Sequence, residues 1–198
     1  MRMREGVAGT HKPTPAEILA ARGRTVPDVI APGLRVLFCG INPGLYSAAV
    51  QHHFARPGNR FWKVLHQAGF TSRLLSPHEE LELLKHGSGI TNLVEWSTAR
   101  ADELTPEELI TAAQRLVAKA EQFRPHFVAI LGIGAYRTAF RSPHAQPGRQ
   151  DETMEVSTLW LLPNPSGLNG HYQAEQLRRL FAELRHAAEI PPYSKDPL

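Results

Sequence analysis

One stretch constrains this chain more than any other. Val36-Leu37-Phe38-Cys39 is an unbroken apolar run, closed by Gly40 and then by Asn42-Pro43-Gly44. Four apolar residues without alternation suit a strand covered on both faces, as in a parallel sheet. Pro43 fixes its own φ and holds Asn42 extended, while Gly44 permits a sharp exit. An amide side chain is thereby carried on a stiff turn at the carboxyl end of a buried strand, the edge where open α/β sheets bind ligands. The device recurs near the far end, where Leu159-Trp160-Leu161-Leu162 runs into Pro163-Asn164-Pro165-Ser166-Gly167-Leu168.

The sequence between them supplies the rest of a layered fold. Ile90–Val94 and Phe127–Leu131 read as further buried strands. Thr14, Ser76 and Thr105 each precede a proline and stand three residues before Glu17, Glu79 and Glu108, which is the capping-box signature of a helix start. The helix after Thr105 carries Leu109, Ala113, Leu116, Val117, Ala120 and Phe123 on one stripe, and the one after Ser76 is expected to turn Leu81, Leu83 and Leu84 inward. Asn59 opens a helix bearing Phe61, Trp62, Leu65 and Ala68; a terminal helix over 173–188 buries Leu177, Leu180, Phe181 and Leu184. Stretches 45–58 and 142–152 read as loops. Strands alternating with helices predict an α/β fold, a three-layer α/β/α sandwich around a mostly parallel sheet of four to five strands. The 198 residues suit one domain over 34–190, preceded by a basic tail with a short helix over 1–33 and followed by a tail over 191–198.

Charge is uneven. Residues 1–35 hold six Lys/Arg against three acids, and the remainder is balanced, sixteen against sixteen, within a net charge of +3. Phosphate binding by the body therefore needs local clusters, for which Arg56-Arg60-Lys63 and Arg137-Arg141-Arg149 are the candidates, set against plain solvated surface. The single cysteine, Cys39, excludes an internal disulfide and thiolate-rich metal sites, and it reads as a core residue. With no signal-peptide pattern and no long apolar run, the expected location is the cytoplasm, with no membrane contact.

Three familiar motifs fail on inspection. Gly132-Ile133-Gly134 follows a strand, but Arg137 stands where a dinucleotide fingerprint needs its third glycine, so a tight turn is the better reading. His52 and His53 are adjacent and lack metal-ligand spacing, and no metal or other cofactor is expected. Ser166 sits in Pro-Ser-Gly, not in a nucleophile elbow. More informative is the run from His52 to Trp62, where aromatics alternate with arginines. Phe61 and Trp62 read as core, and Phe54, flanked by polar residues, as a candidate to stack on a base.

Gly40-Ile41-Asn42-Pro43-Gly44 with Pro57-Gly58-Asn59-Arg60-Phe61-Trp62, the strand Gly89–Glu95, and Asn164-Pro165-Ser166-Gly167-Leu168 together resemble the motifs of the mismatch-specific uracil-DNA glycosylase and thymine-DNA glycosylase family. The resemblance runs from about Arg35 to Leu184. It implies a fold like that of uracil-DNA glycosylase and hydrolysis of the N-glycosidic bond of a flipped-out uracil in double-stranded DNA. Asn42 would hold the attacking water, and Phe54 would stack on the base. The main chain at Ile41 and the Asn92 side chain would read its edge, with Ser47 against the 5-position. Gly167 and Leu168 would form the wedge that fills the vacated place. The implied agent is a monomer with no obligate protein partner, acting on uracil mismatches, foremost opposite guanine, because a mispaired base is cheaper to extrude.

Asn42 narrows the chemistry. A neutral amide can orient water but cannot take its proton. The expected path is therefore dissociative, with an oxocarbenium-like sugar and main-chain N–H groups receiving the departing uracil anion. Asp102 and Glu95 follow the pocket strand. Either could supply the missing base, Asp102 foremost; the competing reading is a solvated acid for Asp102 and a structural one for Glu95. The wedge continues as Asn169-Gly170, without the arginine that some relatives carry after it, which loosens the expected preference for guanine opposite. Gly44 stands where the faster uracil enzymes that the motif resembles carry a Tyr that excludes the 5-methyl group, which leaves thymine open. Ser47 and Tyr46 could crowd that position instead, and uracil is expected first, thymine weakly or not at all. The rival readings are a non-catalytic nucleotide- or nucleic-acid-binding module on a Rossmann-like sheet, and a hydrolase of free nucleosides.

Overall fold

A computed structural model describes residues 12–154, 156–167 and 170–193. The apolar runs lie in four strands: β1 (Val36–Gly40), β2 (Ser88–Asn92, two residues ahead of the expected Ile90–Val94), β3 (Phe127–Leu131) and β5 (Ser157–Leu162). With β4 (Gly148–Met154) they make one five-stranded sheet in the order β2-β1-β3-β5-β4, parallel except for the β4–β5 pair. Helices α3 (Phe61–Gln67) and α6 (Ala174–Ala187) cover one face, packing with Phe38, Trp160 and Leu162. Helices α4 (Pro106–Phe123) and α5 (Ile133–Ala139) cover the other, with Cys39, Val128 and Leu161. This is the expected three-layer sandwich.

Aromatic geometry fixes the first face. The Phe38 ring stands edge-on to Phe61 at 5.5 Å and to Phe70 at 5.3 Å, and stacks on Phe181 at 5.9 Å, within the separations that aromatic pairs prefer. Cys39 on the opposite face has no exposure, and burial pushes its thiol far up from the ordinary value, so it stays protonated as a core residue.

Capping boxes open α1 (Pro15–Ala20) and α4. Glu17 N donates to Thr14 Oγ1 at 3.3 Å while Thr14 N donates to Glu17 Oε2 at 2.7 Å. Glu108 and Thr105 exchange the same pair at 3.2 and 2.7 Å. Helix α1 packs on α2 (Leu45–Val50) through Ala21, Val26 and Ala48. The connector after it is tied to the sheet edge by reciprocal Val29–Ile90 backbone bonds.

Three local expectations are corrected. The stretch after Gly44, expected as loop, holds the six-residue α2, too short for its periodicity to register. The polar stretch 142–152, also expected as loop, contains much of β4. An edge strand pairs on one side alone, so it needs no apolar pattern. The segment Pro77–His86 is 3-10, and Leu81 is 67% exposed, while Glu80 and Leu83 are buried. At three residues per turn, positions 80 and 83 share a face, and Leu81 lies on another.

Candidate active site

The parallel register places Gly40 directly beside Asn92 at the carboxyl ends of β1 and β2. Leu131 and Leu162 end β3 and β5 in register on the same rim, so both Asn-Pro turns leave the sheet at one edge. Between them opens a cleft of about 460 Å³ whose walls include Ile41, Asn42, Phe54, Asn92 and Asn164. The Gly40 and Ile41 carbonyls accept from Leu93 and Val94 N–H at 2.8 and 2.9 Å, which extends the β1–β2 pairing into the turns and stiffens the cleft floor.

Asn42 is held in one orientation. Its Nδ2 donates to the Trp96 carbonyl at 3.2 Å and to Thr98 Oγ1 at 2.7 Å. Thr98 Oγ1 has given its own hydrogen to the Arg100 carbonyl at 2.7 Å, so toward Asn42 it can only accept. With both N–H groups engaged, the amide has one chemistry left to offer, an Oδ1 acceptor.

Phe54 is half-buried and stacks on Phe61, centroids 4.1 Å apart and planes 23° from parallel. A flat apolar wall backed by a rigid ring results. Its backbone adopts φ 52°, which a bulky residue tolerates where its surroundings enforce it. The two residues before it are anchored by Glu80, whose buried carboxylate accepts from His53 N–H and from His52 Nδ1, both at 2.8 Å. Ser47 lines the cleft and its Oγ accepts from Ala55 N–H at 3.1 Å, bracing the same segment. Asn92 is 7% exposed, with Nδ2 3.3 Å from His53 Nδ1.

Asp102 stands at the cleft mouth, its side chain 61% exposed and ion-paired with Arg100 through both carboxylate oxygens. The Arg100 guanidinium holds this carboxyl below its ordinary value, and a weakened base is a poor proton acceptor. Glu95 is exposed and lies outside the cleft lining. The geometry favours the solvated reading for Asp102. Asp102→Asn is expected to change the single-turnover rate by no more than about twofold and to leave its pH profile unshifted, the scale of an ordinary surface substitution.

Arg60 corrects a further expectation. Its guanidinium points inward, donating to the carbonyls of Pro165, Ser166 and Tyr172 at 3.4, 2.9 and 2.7 Å, while its backbone N–H donates to Pro165 O at 3.0 Å. It clamps the second Asn-Pro loop to the first instead of reaching toward solvent. The loops touch closely there: a Cβ on Gly167 would stand 2.5 Å from the Gly58 carbonyl oxygen. Arg137, from the other basic cluster, is likewise engaged, by the Ala145 carbonyl. Arg60→Ala is expected to destabilise by about 2 kcal/mol, the scale of lost charged hydrogen bonds, read as a lowered thermal midpoint. Lys at 60 lacks the fork and is expected to restore little of it. Gly167 is exposed beside the cleft, and Leu168, the other expected wedge residue, lies outside the described residues.

Sequence reasoning missed Thr98, the Trp96 carbonyl and Glu80, and it weighed the buried His53 only as a metal ligand. None carries a motif; each acts through a partner distant in sequence, which spacing alone does not reveal.

A sequence model of the Uracil DNA glycosylase superfamily matches residues 27–185, a span that takes in both Asn-Pro loops. The chain is also similar to the solution NMR structure of a candidate uracil DNA glycosylase from Methanosarcina acetivorans. That match has 20% identity and a TM-score of 0.53, covering 84% of this chain and 98% of that one. At that identity the likeness is one of fold.

Proposed function

We propose that this chain, which belongs to the Uracil DNA glycosylase superfamily, is a monofunctional glycosylase that removes uracil turned out of a DNA duplex, foremost from G:U mismatches. The observation that carries the reading is the fixed Asn42 amide, which lines the cleft with Phe54 and has both N–H groups engaged, leaving its oxygen as an acceptor. An acceptor on a stiff turn suits a water molecule whose proton it engages while the oxygen faces C1′ of the sugar.

In this mechanism the base stacks on Phe54, and Asn92 and the main chain at Ile41 engage its edge. Ser47, already bonded to Ala55 N–H, limits room at the 5-position by its bulk. The C1′–N1 bond breaks first, and uracil leaves with the electron pair as an anion held by main-chain N–H donors. Water held by Asn42 adds to the oxocarbenium-like carbon, its proton passes to solvent, and an abasic site remains. Asn42 takes no proton at any step, so turnover is slow. Extrusion is easiest from a mispair, and the Arg60-clamped loop carrying Gly167 and Leu168 enters the vacated space.

The test is a single-turnover assay on a labelled duplex with one uracil opposite guanine, followed by alkali to break abasic sites. Alkali-dependent cleavage is expected. Absence of cleavage with uracil opposite guanine, opposite adenine and in single strands would return the protein to a binding module.

A further inference from the structure

We infer that His53 decides which pyrimidine the cleft accepts, by fixing the rotation of the Asn92 amide; the inference rests on the uracil-excision reading above. His53 is 2% exposed, and its two ring nitrogens have different partners. Nε2 lies 2.9 Å from the Pro27 carbonyl. A carbonyl can only accept, so Nε2 carries the hydrogen. In a neutral ring Nδ1 is then a bare acceptor, and the Asn92 atom 3.3 Å from it must be the amide nitrogen. Burial supports the neutral form by lowering the pKa from its ordinary value, helped by His52 and opposed by Glu80, Asp28 and the Pro27 bond. The Asn92 oxygen lies on the opposite side, against β1, 2.5 Å from where a Gly40 Cβ would stand.

A primary amide so fixed has one N–H left beside its carbonyl oxygen, a donor–acceptor edge. Uracil and thymine complement it with O4 and N3–H. Cytosine presents the reverse, an amino donor and a bare N3. To serve cytosine the Asn92 amide must rotate and point Oδ1 at His53 Nδ1, two acceptors face to face. The proton on the remote nitrogen of His53, set by Pro27, thus bars the commonest base that resembles the substrate. His53 is a positioning residue, acting through Asn92.

Two variants separate its bonds. His53→Gln can keep a donor to Pro27 O but offers no acceptor at the Nδ1 position; His53→Asn keeps an acceptor near that position and releases Pro27. Single-turnover rates are compared for uracil and cytosine, each opposite thymine so that both are mispaired. The uracil-to-cytosine ratio is expected to fall about 10- to 100-fold in His53→Gln and to fall less in His53→Asn, whose amide, released from Pro27, can turn either an acceptor or a donor toward Asn92. Nitrogen-15 NMR of the unmodified protein supplies a readout independent of activity, and a hydrogen on Nε2 with bare Nδ1 is expected. An unchanged ratio in a folded His53→Gln, or a hydrogen found on Nδ1, overturns the inference and leaves uracil excision standing. A parent protein that excises no uracil from any substrate overturns both.

Discussion

Asn42→Ala is expected to lower the single-turnover rate on a G:U duplex by about 100- to 1000-fold, the range for losing one well-placed polar group or misplacing a reactant by an ångström. Affinity for the same duplex should stay near that of the parent. The separation follows from what Asn42 touches. Its two N–H groups engage Trp96 and Thr98, and its oxygen is left to accept from the water that the proposed reaction needs. Truncation removes the water's partner but leaves Phe54, Asn92 and the clamped second loop in place. A variant that cleaves at near-parent rate would show that the attacking water is held elsewhere.

Asn42→Asp sharpens the point. A carboxylate is formally the better base, yet its second oxygen would face the Trp96 carbonyl and a Thr98 hydroxyl whose hydrogen belongs to Arg100. Acceptors would meet acceptors, which favours the protonated acid and raises its pKa. The expected result is a slow enzyme at neutral pH whose rate climbs as pH rises through that elevated value. A flat, fast profile would indicate that these neighbours rearrange at no cost.

The division between what was legible and what was not is physical. The two Asn-Pro turns could be placed at strand carboxyl ends from the sequence alone, because buried parallel strands write themselves as unbroken apolar runs and their carboxyl ends share an edge. Phe61 and Trp62 read correctly as core, at 0% and 6% exposure. Strand β4 did not read, because an edge strand keeps its polar residues. Arg60 read as a phosphate candidate or a solvated surface charge because sequence gives charge without direction; only the fold aims its guanidinium at three carbonyls. Thr98 and His53 stayed hidden for a related reason. What each does is set by the hydrogen bond it makes on its far side, to Arg100 and to Pro27.

Gly40→Ala tests the cleft floor with one methyl group. Gly40 lies in register with Asn92, and its backbone is not in the left-handed region, so alanine fits the main chain. The methyl does not fit the space. It would stand 2.5 Å from Asn92 Oδ1 and 3.2 Å from Phe54 Cζ. Asn92 cannot retreat without drawing Nδ2 away from His53, and Phe54 has Phe61 stacked behind it at 4.1 Å. The two side chains assigned to the base are therefore levered apart. The expected cost is about 1–3 kcal/mol of stability, the scale of overpacking, or a thermal midpoint lowered by roughly 2–4 °C per kcal/mol for a chain of this size. The expected loss on uracil is larger, about 100-fold in kcat/KM. Gly134→Ala is the matched control: its added Cβ meets nothing within 4 Å, and it sits in α5 away from the cleft lining. Alanine in a helix is favoured over glycine by about 0.5–1 kcal/mol, so that variant should keep full activity and gain slightly in stability. If Gly40→Ala loses stability but keeps its rate on uracil, Asn92 and Phe54 do not grip the base, and the assignment of this cleft fails at its floor.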